Sequence, residues 1–358
     1  MSAGLPGHVD SAAVGEAREQ GMEPAPIVVE VQPGTGVKPN AKVSPSGTNR
    51  LIQGDCLAVL QALPAGCIDL IYIDPPFLTG RQHYSTRADP GRAEPYFDDR
   101  WPGGIAAYLE WFEARLAEMR RVLAGTGSIY IHLDWRTSHY VKCMCDRLFG
   151  YDNFRNELFW RRDVAGKGAK RTSRQWPRNV DSILFYSKSD QWTFRQAYVA
   201  LDARQQKVYR YTQPDGRRFK TVMLGDYSAA SIERMEAEDL IYVSKSGKRY
   251  KKYYLDEAMS TVDTIWSDIP GFGTRTAARE RLGYPTQKPE ALLRRILEAS
   301  SNVGDVVADF FCGSGTTCAV AQALGRSWIG VDVSSDAIAV AAKRLAPAIG
   351  ARHPRQER

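Results

Sequence analysis

Apolar positions along the chain follow two rhythms in turn. Ile68-Asp69-Leu70-Ile71-Tyr72-Ile73 is apolar at nearly every position, as a strand buried on both faces must be, and it runs into Asp74. From Ile105 through Tyr108, Leu109, Phe112, Leu116 and Met119 to Leu123 the spacing turns to threes and fours, which predicts a helix with one apolar face. Gly125 and Gly127 punctuate its end, and Ser128-Ile129-Tyr130-Ile131-His132-Leu133-Asp134 returns as a strand. A strand at Arg50 to Gly54 and a helix at Cys56 to Leu63 precede this unit, and a helix at Ser138 to Phe149 follows it. The pattern breaks after Glu157-Leu158-Phe159-Trp160. It resumes with a helix from Pro289 to Ala299, a strand from Val306 to Phe311, a helix from Thr316 to Leu324, a strand from Trp328 to Val331 and a helix from Asp336 to Leu345. Repeated strand-helix units predict an α/β fold, a parallel sheet with helices on both faces.

Residues Met1 to about Thr48 do not join the alternation. They are rich in Pro, Gly, Ala and Ser around one short apolar patch, Ile27 to Val31, too little for a core of their own, and are expected to form a mobile extension. No apolar run reaches the about 18 residues of a membrane span, and the first ten residues lack the basic flank and hydrophobic stretch of a signal peptide, so a cytoplasmic protein is expected. Six Cys form no Cys-x-x-Cys pair and five His are scattered, which leaves no zinc spacing; the thiols read as reduced packing residues and no metal is expected.

Charge adds to the picture because it is regional. The whole chain carries +7, whereas Arg161 to Lys220 holds 15 Lys and Arg against 5 Asp and Glu. Trp176, Phe185, Tyr186, Trp192, Phe194, Tyr198, Tyr209, Tyr211 and Phe219 are interleaved with those cations, a mixture suited to phosphate contact and base stacking. Arg161, Arg162, Lys167, Lys170, Arg171 and Arg174 are the densest cluster and the candidates for phosphate contacts.

Two strand ends carry candidate chemistry, since open parallel sheets bind ligands beyond the carboxyl ends of their strands. In Asp309-Phe310-Phe311-Cys312-Gly313-Ser314-Gly315-Thr316, the glycines let backbone approach a ligand and turn into a helix whose amino end favours an anion. Cys318 stands where a dinucleotide fingerprint would place Gly or Ala, and no Lys follows as a P-loop requires. Asp332, ending the next strand, can accept from both hydroxyls of an adenosine ribose. At the other strand end stand Asp74, Pro75, Pro76 and Phe77. An exocyclic amino group is a poor nucleophile because its lone pair is delocalised into the ring. The Asp74 carboxylate and the Pro75 carbonyl can each accept one of its N–H bonds and favour the pyramidal nitrogen of the transition state. The prolines hold that carbonyl stiffly without offering a competing donor, and Phe77 offers a face for a base rotated out of a duplex.

Asp74-Pro75-Pro76-Phe77, the Pro285-Thr286-Gln287-Lys288-Pro289-Glu290 segment and Phe311-x-Gly313-x-Gly315, in this order, resemble the β class of S-adenosylmethionine-dependent DNA amino-methyltransferases over roughly Arg50 to Leu345. The resemblance implies a Rossmann-like class I methyltransferase fold, circularly permuted, with an inserted target-recognition region. It divides the chain into an extension (1–48), a catalytic half (49–160), the recognition region (161–262), a cofactor half (263–346) and a tail (347–358). It makes Asp74, Pro75, Pro76 and Phe77 catalytic, and assigns the cofactor to Asp55, Lys288, Asp309, Phe311, Gly313, Gly315, Thr316 and Asp332. Where the family usually has Asp-Pro-Phe before the glycines, this chain has Asp309-Phe310-Phe311, and altered loop packing is expected. The implied activity is site-specific methylation of adenine N6 in double-stranded DNA, because cytosine-N4 members more often begin the catalytic motif with Ser. Cytosine N4 and a catalytically silent DNA-binding subunit are the alternatives. A monomer or homodimer, with a cognate restriction endonuclease as a possible companion, completes the expectation.

Overall fold

A computed structural model describes residues 27–32, 35–39, 49–83, 97–163, 174–272 and 280–346. Among them the apolar runs assemble into one ten-stranded sheet, in the spatial order Ile265–Trp266, Phe154–Arg161, Val180–Ser187, Leu123–Leu133, Ile68–Ile73, Val306–Asp309, Ser327–Asp332, Arg50–Gln53, Ile27–Gln32 and Thr35–Pro39. The five strands from Leu123–Leu133 to Arg50–Gln53 are mutually parallel. Around them the expected all-parallel sheet gives way to a mixed one: Val180–Ser187 runs antiparallel to both of its neighbours, and so does Ile27–Gln32.

Alternation within the strands sends neighbouring side chains to opposite faces. Ile52, Ile71, Ile73, Ile129, Ile131 and Leu184 pack with Val59, Phe112, Leu116 and Val141 under the helices Cys56–Ala62, Gly104–Val122 and Ser138–Phe149. Leu51, Leu70, Tyr72, Tyr130 and Ile183 pack with Leu292, Leu293, Ile296, Val320 and Ile338 under Glu290–Ser300, Thr316–Ala323 and Ser335–Leu345. Both faces of the sheet are therefore covered, as the unbroken apolar runs require. Cys318, which departs from the dinucleotide fingerprint, is seated against Gly330, where an added Cβ would stand 2.7 Å from its Sγ.

The chain leaves Ile68–Ile73 through Gly104–Val122 toward one side of the sheet and leaves Val306–Asp309 through Thr316–Ala323 toward the other. These two central strands are neighbours, Val307 opposite Leu70 and Ala308 opposite Ile71. A crevice opens beyond their carboxyl ends, at the switch point where open α/β sheets take ligands.

Two expected boundaries are corrected. Ile27–Gln32, inside the expected mobile extension, pairs from Ile27 opposite Gln53 to Glu30 opposite Arg50. It satisfies the open edge of Arg50–Gln53 through backbone bonds, which need no core of their own. Val180–Ser187, inside the expected recognition region, is an inner strand of the main sheet, where its run Ile183-Leu184-Phe185-Tyr186 is buried. The part of that region that stands apart is a four-stranded antiparallel sheet of Tyr211–Thr212, Arg218–Met223, Arg249–Tyr254 and Ile241–Val243, with the helix Ala229–Ala237.

Candidate active site

The crevice is a cavity of about 350 Å³ lined by Asp74, Pro75, Pro76 and Phe77 from one strand end, and by Asp309, Phe311, Cys312, Gly313, Ser314 and Thr316 from the other. Lys288 and Asp332 also line it. The catalytic and cofactor candidates thus meet in one place, apart from Asp55 and Gly315. The size suits a small-molecule site.

Asp74 reaches the cavity because its strand stops there. Lys288 Nζ donates to Asp74 Oδ2, and both side chains are nearly buried, 11% and 15% exposed. Asp74 Oδ1 is buried and has no hydrogen-bond partner among the described residues. A buried carboxylate oxygen without a partner costs free energy unless a ligand donor reaches it. Sequence reasoning gave Lys288 to the cofactor; the structure keeps it on the cavity wall and pairs its ammonium with Asp74, because a buried carboxylate needs a counter-charge.

The glycine loop is fixed by the next strand end. Gly313 N–H donates to Asp332 Oδ2 at 2.8 Å and Ser334 N–H to Oδ1 at 2.9 Å. Gly313 has φ +50°, and a Cβ there would stand 3.0 Å from the Tyr284 ring across the cavity wall. Gly315 is needed for packing, since its Cβ would meet the Ala341 Cβ at 2.9 Å. Phe310, where the family has Pro, is buried in the core, while Phe311 keeps its place on the cavity beside Trp111, ring centres 5.8 Å apart.

Asp309 is fully buried, and burial pushes its carboxyl up to about 7 against the Thr317 hydroxyl and Phe311 N–H that donate to it; Asp74 and Asp332 add to the rise. Burial likewise raises Asp332, opposed by the N–H groups of Ser334 and Gly313. Asp74, Asp309 and Asp332 stand together beside the glycine loop, and burial of Asp309 keeps one of these carboxyls near its proton.

Asp55 departs from expectation. It caps Cys56–Ala62, accepting from Leu57 N–H at 2.8 Å, and its other oxygen takes Arg115 Nη2 at 2.5 Å. Its carboxylate is committed to those partners and is not part of the cavity lining. Of the phosphate-contact candidates, Arg161 and Arg174 are exposed. Arg162 Nε lies 3.1 Å from Asp181, and Lys167, Lys170 and Arg171 fall outside the described residues.

Sequence reasoning missed the cluster that braces the catalytic loop. The Asp99 carboxylate accepts from Leu78 N–H at 3.0 Å, from Thr79 N–H at 2.8 Å and hydroxyl at 2.6 Å, and from Trp101 Nε1–H at 3.1 Å. Leu78 has φ +59°, an uncommon left-handed conformation for a branched side chain, and directly follows Phe77. Trp101, Trp111 and Tyr284 also line the cavity. The one signal available was Asp98-Asp99-Arg100-Trp101, a polar and aromatic knot after a stretch without periodicity.

Residues 68–343 match a family described as DNA methylase. The type II methyltransferase M.EcaI of Enterobacter cloacae is 33% identical over 307 residues, 77% of this chain and 64% of that protein, so this chain spans less than two thirds of that relative's length. The DNA adenine methyltransferase YhdJ of Escherichia coli is 29% identical, with 82% of each chain covered. Among solved structures, the cytosine-N4-specific PvuII DNA methyltransferase is similar with a TM-score of 0.46 and 15% identity, covering 82% of this chain and 85% of that one.

Proposed function

This chain belongs to the DNA methylase family, and on that footing we propose that it methylates the exocyclic N6 of adenine in double-stranded DNA, with S-adenosylmethionine as methyl donor. The observation that carries the reading is that Asp74, whose buried Oδ1 has no partner among the described residues, lines the same cavity as the glycine loop. Phe311, Gly313, Ser314, Thr316 and Asp332 would hold the cofactor: a loop that a Cβ at 313 would jam against Tyr284, a helix start and a ribose-suited carboxylate fit it. When bound, S-adenosylmethionine supplies the electrophilic methyl group.

The protein's own residues prepare the nucleophile. Asp74 Oδ1 and the Pro75 carbonyl accept the two N–H bonds of the amino group and draw its nitrogen toward a pyramidal geometry with an available lone pair. Lys288 holds the other carboxylate oxygen, which leaves Oδ1 as the acceptor available to the amino group. Phe77, beside them, offers its face to the base, and Trp101, Trp111 and Tyr284 add apolar walls to the cavity.

Adenine is favoured over cytosine because the motif begins with Asp and because one of the reported relatives bears the name DNA adenine methyltransferase. The intact Asp74 and glycines speak against a silent subunit. The basic stretch from Arg161 supplies contacts to the DNA backbone, and a cognate restriction endonuclease would fit the name of the type II relative. A cytoplasmic monomer or homodimer completes the reading.

The test is incubation of purified protein with S-adenosylmethionine and unmethylated bacterial DNA, then digestion to nucleosides and mass spectrometry. N6-methyldeoxyadenosine is expected. N4-methyldeoxycytidine moves the target base, and the absence of both with cofactor bound overturns the activity. Asp74→Ala should abolish transfer while changing cofactor affinity less than about threefold.

A further inference from the structure

Behind the catalytic loop lies a buried chain of polar side chains that the mechanism above does not use. His132, fully buried in Leu123–Leu133, lies between two partners: its Nδ1 is 2.8 Å from the Tyr72 hydroxyl and its Nε2 is 3.3 Å from Asp181 Oδ2. Its ring lies nearly parallel to that of Phe77, at 25° with centres 6.0 Å apart, and meets Trp160 edge-on at 5.7 Å. Asp181 in turn faces Arg162, the second cation of the basic stretch, with Nε 3.1 Å from Oδ1.

Chemistry fixes the hydrogens along this chain. An ionised carboxylate only accepts, so Nε2–H donates to Asp181, while Nδ1 and the Tyr72 hydroxyl share the second hydrogen bond. Tyr72 holds its proton firmly, because burial and the nearby charges of Asp74, Asp309 and Asp181 push its phenol well above the ordinary range. Burial alone would raise the Asp181 carboxyl, but the bond from His132 and the nearby charges of Arg162 and Lys288 outweigh it and hold the group below its ordinary value. A ring bonded at both nitrogens and packed edge-on by Trp160 cannot turn about its own axis.

We propose that His132 is a positioning residue: locked by Tyr72 and Asp181, it sets the plane of Phe77, and so of the base that rests on Phe77. The inference rests on the methyl-transfer reading. Tyr72 and Phe77 both line the cavity while His132 itself is fully buried, so its effect reaches the base through them. The ion pair of Asp181 with Arg162 ties the same support to the stretch expected to grip the DNA backbone.

Two measurements on the full chain test this. In the first, turnover on unmethylated bacterial DNA is compared with cofactor affinity by calorimetry. His132→Ala is expected to lower kcat tenfold or more, with the Kd for S-adenosylmethionine within twofold of wild type. Asp181→Asn, which keeps the side-chain shape and folds if the alanine variant does not, should lose about threefold to tenfold in kcat. A kcat within twofold of wild type in both variants, or equal losses in kcat and cofactor affinity, overturns the proposal. The second measurement needs no activity: imidazole nitrogen NMR should show His132 fully protonated at Nε2, with signals that shift in Phe77→Leu. A mixture of tautomers, or signals indifferent to Phe77, overturns the proposal even if the wild type proves inactive on DNA, an outcome that would by itself sink only the activity reading.

Discussion

Asp74 and Lys288, 214 positions apart in the chain, form a nearly buried ion pair at the centre of the crevice, with the lysine donating to one carboxylate oxygen and the other left open. Truncating one partner of such a pair strands the other without a counter-charge. Lys288→Ala is therefore expected to cut kcat by about tenfold or more while Lys288→Arg keeps most of it. Calorimetry with S-adenosylmethionine checks the assignment. An affinity loss as large as the loss in kcat would return Lys288 to the cofactor, as the sequence suggested.

The brace at Asp99 should show first in stability. Asp99→Ala leaves four donors of Leu78, Thr79 and Trp101 without their acceptor, and each buried loss costs about 1–3 kcal/mol. Non-additivity and solvent access reduce the total to about 2–4 kcal/mol. Urea unfolding reads this directly, and Leu78, released from its left-handed conformation, should free the Phe77 loop and lower kcat as well. An unchanged midpoint would mean the loop is held elsewhere.

Asp309 imposes a pH dependence whose direction follows from its environment. Its folded value of about 7 lies above the ordinary 3.8, so the folded state binds the proton more tightly than the unfolded chain. The stabilisation is fully present below about pH 4 and is lost as pH rises through about 7. Thermal melts from about pH 5 to about pH 8 should show the wild type losing stability relative to Asp309→Asn, which carries no titrating group at this position. Parallel melting curves would indicate that the carboxyl is ionised throughout.

DNA affinity should fall steeply with salt, because phosphate contacts release counterions on binding. Arg161→Ala and Arg174→Ala, both exposed in the basic stretch, are each expected to reduce the slope of log K against log salt by about one. Arg162→Ala should instead act mainly on kcat, since its guanidinium is engaged with Asp181. Filter binding across about 50–200 mM salt separates the two effects.

Much of the frame was legible because burial on both faces writes itself as unbroken apolar runs. Ile68–Ile73 and Ser138–Phe149 lie where the pattern put them, and with the strand ends known, Asp74 and the Gly313 loop followed. What pairs backbone alone left no such mark: Ile27–Gln32 joins the edge of the sheet without an apolar run long enough to announce it. Strand direction was equally silent at Val180–Ser187, whose apolar run reads the same parallel or antiparallel. Asp55 caps Cys56–Ala62 and lies outside the cavity lining, and an Asp directly before a helix is a capping signal that the sequence did carry. Contacts such as Lys288 with Asp74, or Asp99 with Leu78, join residues that no local pattern links.

The neighbouring positions of Ile68–Ile73 and Val306–Asp309 also bear on how the protein comes into being. During synthesis the ribosome delivers Asp74 more than two hundred residues before the glycine loop that completes its crevice. Until then the strand that carries it has only one of its two central neighbours. The crevice is thus complete only once Val306–Asp309, and after it Ser327–Asp332, have taken their places beside a strand made long before.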